Sequence, residues 1–268
     1  RTSPMALLDG EELWEPQRPT VGVLLCDLYQ PGSPHAPVAR RELESGPAGR
    51  CAAWLLGHIH KPSLPPTTGS GAPARPVGYL GSLVALDAGE PGPHGPWLVE
   101  VGAEGVEEVR QVPLSPVRFE ALEVACADLV TDPSELLQWT AEQAQDAVVD
   151  RLHSGMRGLL ERCSEEQPSL RVLSVRAVFT GAVGTPAMRS ALVWLQREQE
   201  LLQVGGSGTA IAVCERVEDG FRPVLDLAQL RAEAGPLGEL ATVLIEVEGD
   251  TDTGRRLVAE FASEEFDR

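Results

Sequence analysis

Apolar residues fall into short continuous runs in the first half of this chain and into regular periods in the second. Val21 to Leu25, VGVLL, is a continuous run with β-branched residues and predicts a strand buried on both faces. Residues 31–49 are rich in Pro, Gly and Ser and predict a loop, with a short helix around Ala39–Leu43. Cys51–Leu56, CAAWLL, predicts a second buried strand. Residues 63–76 predict another loop, and Val77–Leu86 a strand broken at Gly81-Ser82. Pro96–Val101 and Val106–Val112 predict a hairpin that turns at Ala103-Glu104-Gly105. Pro113 to Pro116 reads as a boundary.

Beyond it the texture changes. Phe119–Ala127 is strand-like. Asp132-Pro133-Ser134-Glu135 predicts a helix start, with Asp as cap and Glu reaching back to it. Apolar residues then recur at Leu137, Ala141, Ala144, Val148, Leu152, Met156 and Leu159. That is helical spacing with one buried face, ending near Cys163. Leu173, Val175, Ala177 and Phe179 alternate with polar neighbours and predict a half-buried strand. Thr185-Pro186 caps a second predicted helix to about Leu202, and Ala210–Val217 predicts a strand. Leu225–Ala234, Leu237–Glu248 and Thr253–Phe261 predict short helices before a charged, fraying tail. The fold class expected is α/β (α+β), divided into residues 1–113 and 114–268.

Composition narrows the function classes. With 268 residues and 43% hydrophobic content the chain can bury a substantial core, which excludes general disorder. No apolar run reaches the roughly 18–20 residues of a membrane helix, and no signal peptide is recognisable, so no membrane partner is expected. The net charge of −18 argues against a basic, free-standing nucleic-acid binder. It leaves room for a protein that meets phosphates through metal ions, because a bound cation reverses the local field. Cys26, Cys51, Cys126, Cys163 and Cys214 are widely spaced, without a Cys-x-x-Cys pair. Buried, reduced thiols and a cytoplasmic location are expected. The chain opens Arg-Thr-Ser-Pro with its first Met at Met5, which suggests the downstream part of a longer protein.

The candidate chemistry lies in Gly57-His58-Ile59-His60. In an extended segment His58 and His60 would face the same point just past a strand end, an arrangement that suits a divalent transition metal. Gly57 would let the backbone turn sharply there. Two solvated loop histidines beside Lys61 are the alternative. His35, His94 and His153 read as exposed or boundary residues. Neither a Gly-x-Ser-x-Gly elbow nor a phosphate-binding P-loop is present.

The run WLLGHIHKP, its following loop, and VGYLGSLVALDAGEPGPHGPWLVEV closely resemble the end of a calcineurin-like metallophosphoesterase domain. The SbcD-type DNA repair exonuclease branch is most similar. The resemblance covers residues 20–130 well and the remainder loosely. It implies a partial β-sandwich flanked by helices over residues 1–113, then a small capping domain that positions DNA. It further implies two divalent ions, Mn²⁺ in that family, bridging a phosphodiester and activating water. By match, His58 and His60 would be metal ligands, and Gly57, Tyr79, Gly81 and Ser82 would belong to the substrate loop. DNA, an SMC-like ATPase of the SbcC type and a homodimer are the implied partners.

Departures from the family pattern are specific. Its Asp-x-His, Gly-Asp-x-x-Asp and Gly-Asn-His-Asp/Glu motifs are absent. Leu25 stands where the family has a ligating His, with Cys26 and Asp27 as conceivable substitutes. Leu80 replaces the Pro of the Tyr-Pro-Gly-Ser loop. The chain is therefore expected to be inactive alone, with a partial site whose strands Val21–Leu25 and Cys51–Leu56 show apolar surface. Two alternatives stay open: a catalytically degenerate scaffold subunit that docks a partner, and a small-nucleotide phosphodiesterase.

Overall fold

The computed structural model describes residues 18–28, 36–46, 48–68, 75–129, 133–182, 186–198, 202–206, 208–222, 227–232 and 235–249. It is a mixed α/β structure. Contacts divide the chain into two units, one of Arg1–Thr180 with Thr185–Gly220, the other of Gly181–Gly184 with Phe221–Arg268.

The first unit begins with β1 (Val21–Leu25), β2 (Asp27–Leu28) and β3 (Pro37–Val38), then helix α1 (Arg40–Glu44). β4 (Ala53–Gly57), β5 (Thr67–Thr68) and β6 (Val77–Tyr79) follow. β1, β4 and β6 form a parallel sheet in that spatial order, with Val21 opposite Ala53 and Trp54 opposite Val77. Gly22 is required by this pairing. Its register partner is Trp54, and a Cβ at position 22 would collide with the Trp54 ring. The indole Nε1–H donates to the carbonyls of Leu43 and Ala48, each at 3.1 Å. Around it lies a core of Cys26, Leu28, Val38, Leu43, Leu56 and Val77.

β4 matches the expected second strand but begins at Ala53 and reaches Gly57. The expected long strand from Val77 stops at Tyr79, because Gly81 adopts a left-handed φ of +76°. β1 corrects a clear expectation. It is not buried on both faces, since Val23 is 73% exposed and Leu25 71% exposed, the apolar surface expected of a partial site; the same expectation fails for Cys51–Leu56, where Cys51, Ala53, Trp54 and Leu56 are buried. A continuous apolar run reports burial only where a second layer covers it.

β7 (Trp97–Gly102) and β8 (Gly105–Gln111) form the expected hairpin, and β5 adds antiparallel to β8. β9 (Val117–Ala125) is followed by a 3-10 turn at Pro133–Gln138, then α2 (Ala141–Glu166). Thr140, and not Asp132, caps α2. Its side chain accepts from Gln143 N–H, and the Gln143 side chain accepts from Thr140 N–H. Asp132 lies outside the described residues. α2 buries Ala144, Val148, Leu152, Met156, Leu159, Leu160 and Cys163, the face that the periodicity predicts. Gly155 sits close over Leu122 of β9, leaving no room for a larger residue without movement.

β10 (Val172–Ala182) runs parallel to β9, so β9, α2 and β10 form a β-α-β crossover. α3 (Pro186–Glu198) packs on α2, and β11 (Gln203–Gly205) pairs antiparallel with β12 (Ile211–Arg222). The sheet order is β11-β12-β10-β9. Thr185, the expected cap of α3, lies outside the described residues.

The second unit contains α4 (Leu227–Arg231) and α5 (Pro236–Gly249), which pack together. The helix expected at Thr253–Phe261 and the terminal tail lie outside the described residues. Among the described residues no helix is long and apolar enough to cross a membrane. Cys26, Cys51, Cys163 and Cys214 are buried free thiols, as expected.

Candidate functional site

The parallel sheet puts the C-terminal ends of β1, β4 and β6 along one edge, where open α/β sheets usually carry ligands. β4 ends at Gly57, opposite Leu25, and a Cβ at 57 would lie 3.1 Å from Leu25 Cδ1. The chain then turns. His58 has φ +102°, a conformation that non-glycine residues rarely adopt. The extended alternation expected to aim His58 and His60 the same way therefore ends at Gly57.

His58 stores backbone strain. His58→Gly and His58→Ala both remove the imidazole, so their difference isolates the backbone. The glycine variant is expected to be more stable by about 1–2 kcal/mol in urea unfolding. Equal stability, or a more stable alanine variant, would show that the strain is absent.

The loop after β6 closes onto the histidine loop. Leu80 N–H donates to Leu56 O at 2.8 Å, and Ser82 N–H to His60 O at 2.8 Å. Gly81 is the residue that permits this. A Cβ there would lie 2.7 Å from His60 O and 2.9 Å from Pro62, on top of its left-handed φ. Beneath, Tyr79 O accepts from Ser63 N–H and Leu64 N–H, and its buried phenol oxygen accepts from Leu28 N–H at 2.6 Å. Tyr79 thus braces the loop from inside the core. Residues 57–62 and 80–82, distant in sequence, are thus joined side by side, with Gly78 and Tyr79 buried beneath them.

A carboxylate reaches that surface from the next turn. Glu90 Oε1 lies 2.6 Å from His60 Nδ1. Glu90 Oε2 accepts from Leu86 N–H at 2.9 Å and lies 3.4 Å from Ser82 Oγ. Burial works to raise the Glu90 carboxyl, but the Leu86 N–H, His60 and Ser82 outweigh it and hold the group below its ordinary value.

His94 corrects its expectation of exposure, being only 1% exposed. Its Nδ1 lies 3.0 Å from Ser82 Oγ and 3.1 Å from Ser82 O, and its Nε2 lies 3.1 Å from Glu90 O. Its own carbonyl accepts from Leu114 N–H and Ser115 N–H. The turn folds beneath the Ser82 loop, where Ser82 and the Glu90 carbonyl partner the ring. Glu90 and His94 were not singled out as site residues by sequence. Their turn, Gly89-Glu90-Pro91-Gly92-Pro93-His94-Gly95, has no period that reveals an inward side chain.

The conceivable substitutes for the missing histidine do not serve well. Cys26 is fully buried in the core, and burial followed by the neighbouring Asp27 pushes its thiol up to about 11. A thiol held protonated is a poor ligand. Asp27 is also buried, paired with Pro37 in the β2–β3 ladder. His35 lies outside the described residues. Among the described residues no group of three or more His, Cys, Asp or Glu side chains is placed to hold a metal ion. The two imidazoles therefore do not furnish the two-metal set that the resemblance implies. No protein-family model and no curated protein matches the chain.

Proposed function

We propose that this chain is a subunit of a metal-dependent phosphodiesterase of the SbcD type, acting on DNA with an SMC-like ATPase. In this reading residues 57–62 and 78–82 form one wall of the site, and the remaining metal ligands come from outside the described residues. The carrying observation is the juxtaposition of the two motif-bearing loops at the C-terminal edge of a parallel sheet, closed by the Ser82 N–H to His60 O bond. Two histidines alone give weak metal binding, so no tight calorimetric signal is expected for Mn²⁺.

Paramagnetic broadening detects weak binding. Mn²⁺ titrated into the labelled chain is expected to broaden resonances of residues 57–60 and 81–82 first, and His58→Ala/His60→Ala should remove that effect. Broadening confined to other acidic surface, or unchanged in the double variant, would sink the reading.

A second reading is a catalytically silent subunit on the same framework. Leu25, exposed at the end of β1 where the family has a ligating His, favours it. Mn²⁺-dependent, His60-dependent hydrolysis of linear duplex DNA by the chain with its ATPase partner would support the enzyme. Metal binding without hydrolysis would support the silent subunit.

A further inference from the structure

We propose that Gln167 is a positioning residue for the histidine loop: it couples the end of α2 to the backbone of His60 through Ser115, His94 and Ser82. Three links make the connection. At the first, Gln167 follows the last residue of α2 and closes the helix, its N–H donating to Cys163 O at 2.9 Å. Its side chain is fully buried, and Nε2 donates to Ser115 O. A carbonyl only accepts, so the amide can face Ser115 only with its NH₂ side. At the second link, Leu114 N–H and Ser115 N–H both donate to His94 O, at 3.2 and 3.3 Å. At the third, His94 Nδ1 lies 3.0 Å from Ser82 Oγ and 3.1 Å from Ser82 O, and Ser82 N–H donates to His60 O at 2.8 Å. Gln167, Ser115 and His94 are all buried, so these bonds are shielded from water.

The joint is held from both sides. Pro113 to Pro116, the stretch that reads as a boundary, is bonded to the segment after α2. Arg171 N–H and Val172 N–H donate to Pro116 O at 2.8 and 3.0 Å, and Ser169 Oγ donates to Pro113 O at 3.2 Å. From the other side, Gly92 N–H donates to Phe119 O at 3.0 Å. Gly95 permits the close approach. A Cβ there would collide with Val112 O and lie 2.9 Å from Leu114 N. Arg118, buried on β9 just beyond the joint, donates to Glu166, the last residue of α2, at 2.7 Å. Close-packed interiors compress little and pass displacement on. A shift at the end of α2 therefore reaches the loop of His60, and whatever engages α2 from outside adjusts that loop.

The test is amide hydrogen exchange in the full ¹⁵N-labelled chain carrying Gln167→Met, which removes the donor at similar size. Leu80 N–H and Ser82 N–H are the paired probes. Both belong to one loop, but Leu80 bonds to Leu56 O and Ser82 to His60 O. Ser82 N–H is expected to exchange about 2–30-fold faster than in the natural chain, the range that single residues in such networks reach, while Leu80 N–H is unchanged. Leu114 N–H and Ser115 N–H should speed up with Ser82. Coupling is reciprocal, so Ser82→Ala should shift the side-chain amide signal of Gln167. This second variant decides the matter if Gln167→Met does not fold. Equal acceleration at Leu80 and Ser82 would mean general loosening and overturns the proposal. Faster exchange that stops at Ser115, or a Gln167 signal indifferent to Ser82→Ala, overturns it too. The coupling needs no occupant at the site, so its failure leaves the phosphodiesterase reading to the Mn²⁺ titration.

Discussion

Replacing Gly78 by alanine is expected to lower the unfolding free energy by about 3 kcal/mol, the upper end of the usual cost of overpacking. The reason is which atoms lie in the way. A Cβ at position 78 would sit 2.5 Å from Ser63 O, 2.6 Å from Leu64 Cα and 2.7 Å from Leu64 N. All three are backbone, so no side chain can swing aside. Either β6 must leave its pairing with Leu55, or residues 63–64 must move away from Tyr79. Both responses disturb the loop that carries His60. Urea denaturation followed by far-UV circular dichroism measures the loss. Gly158→Ala is the control, since its Cβ would meet only the flexible Arg162 guanidinium at 3.7 Å, in the interior of α2. That variant should gain roughly 0.5–1 kcal/mol from helix propensity. A Gly78→Ala protein as stable as the natural one would mean that β6 is not packed on residues 63–64 as described.

The second large effect is expected at Phe179. It is fully buried on β10, opposite Val124 of β9, and it is the largest of the fully buried side chains. Phe179→Ala should cost about 3–5 kcal/mol, the lost transfer energy plus the cavity. Phe179→Leu should cost clearly less, because most of the volume remains. A loss for the alanine variant under about 1 kcal/mol would show a core that collapses into the space or never packed around the ring. Denaturant midpoints at constant slope distinguish lost stability from altered compactness.

The second half of the described chain was the more legible in sequence. Leu152, Met156 and Leu159 lie on the face their spacing predicts, and the alternation at Leu173, Val175, Ala177 and Phe179 is matched by complete burial. Periodic patterns report a helix or strand covered on one side, which is the situation there. The cap of α2 was misplaced because two capping signatures stand close together. Asp132 precedes only a short 3-10 turn, and Thr140 with Gln143 starts the helix proper. In the first half, the run VGVLL by itself marked the strand but not its exposure, which was expected only from the partial site, because exposure depends on a covering layer that a local run does not encode.

The site was legible only as two motifs. Gly57–His60 and Gly78–Ser82 could be picked out by residue type, yet the bond from Ser82 to His60 depends on β4 and β6 pairing in parallel. The Glu90 partner of His60 lies 30 residues away, within a turn whose prolines and glycines give no direction to a side chain. The strain at His58 is equally silent in sequence, since nothing about a histidine announces a φ of +102°.

The parallel arrangement of β1, β4 and β6 also governs the order in which this surface comes into being. The β7–β8 hairpin pairs neighbours as close as Gly102 and Gly105, and such local closures take microseconds. Val21 with Ala53, and Trp54 with Val77, must each wait for a long loop to close before any pairing compensates its entropy. The histidine loop is anchored through the β4–β6 pairing. By loop closure alone, the junction of residues 57–62 with 80–82 is expected to form after the β7–β8 hairpin that follows the Glu90 turn.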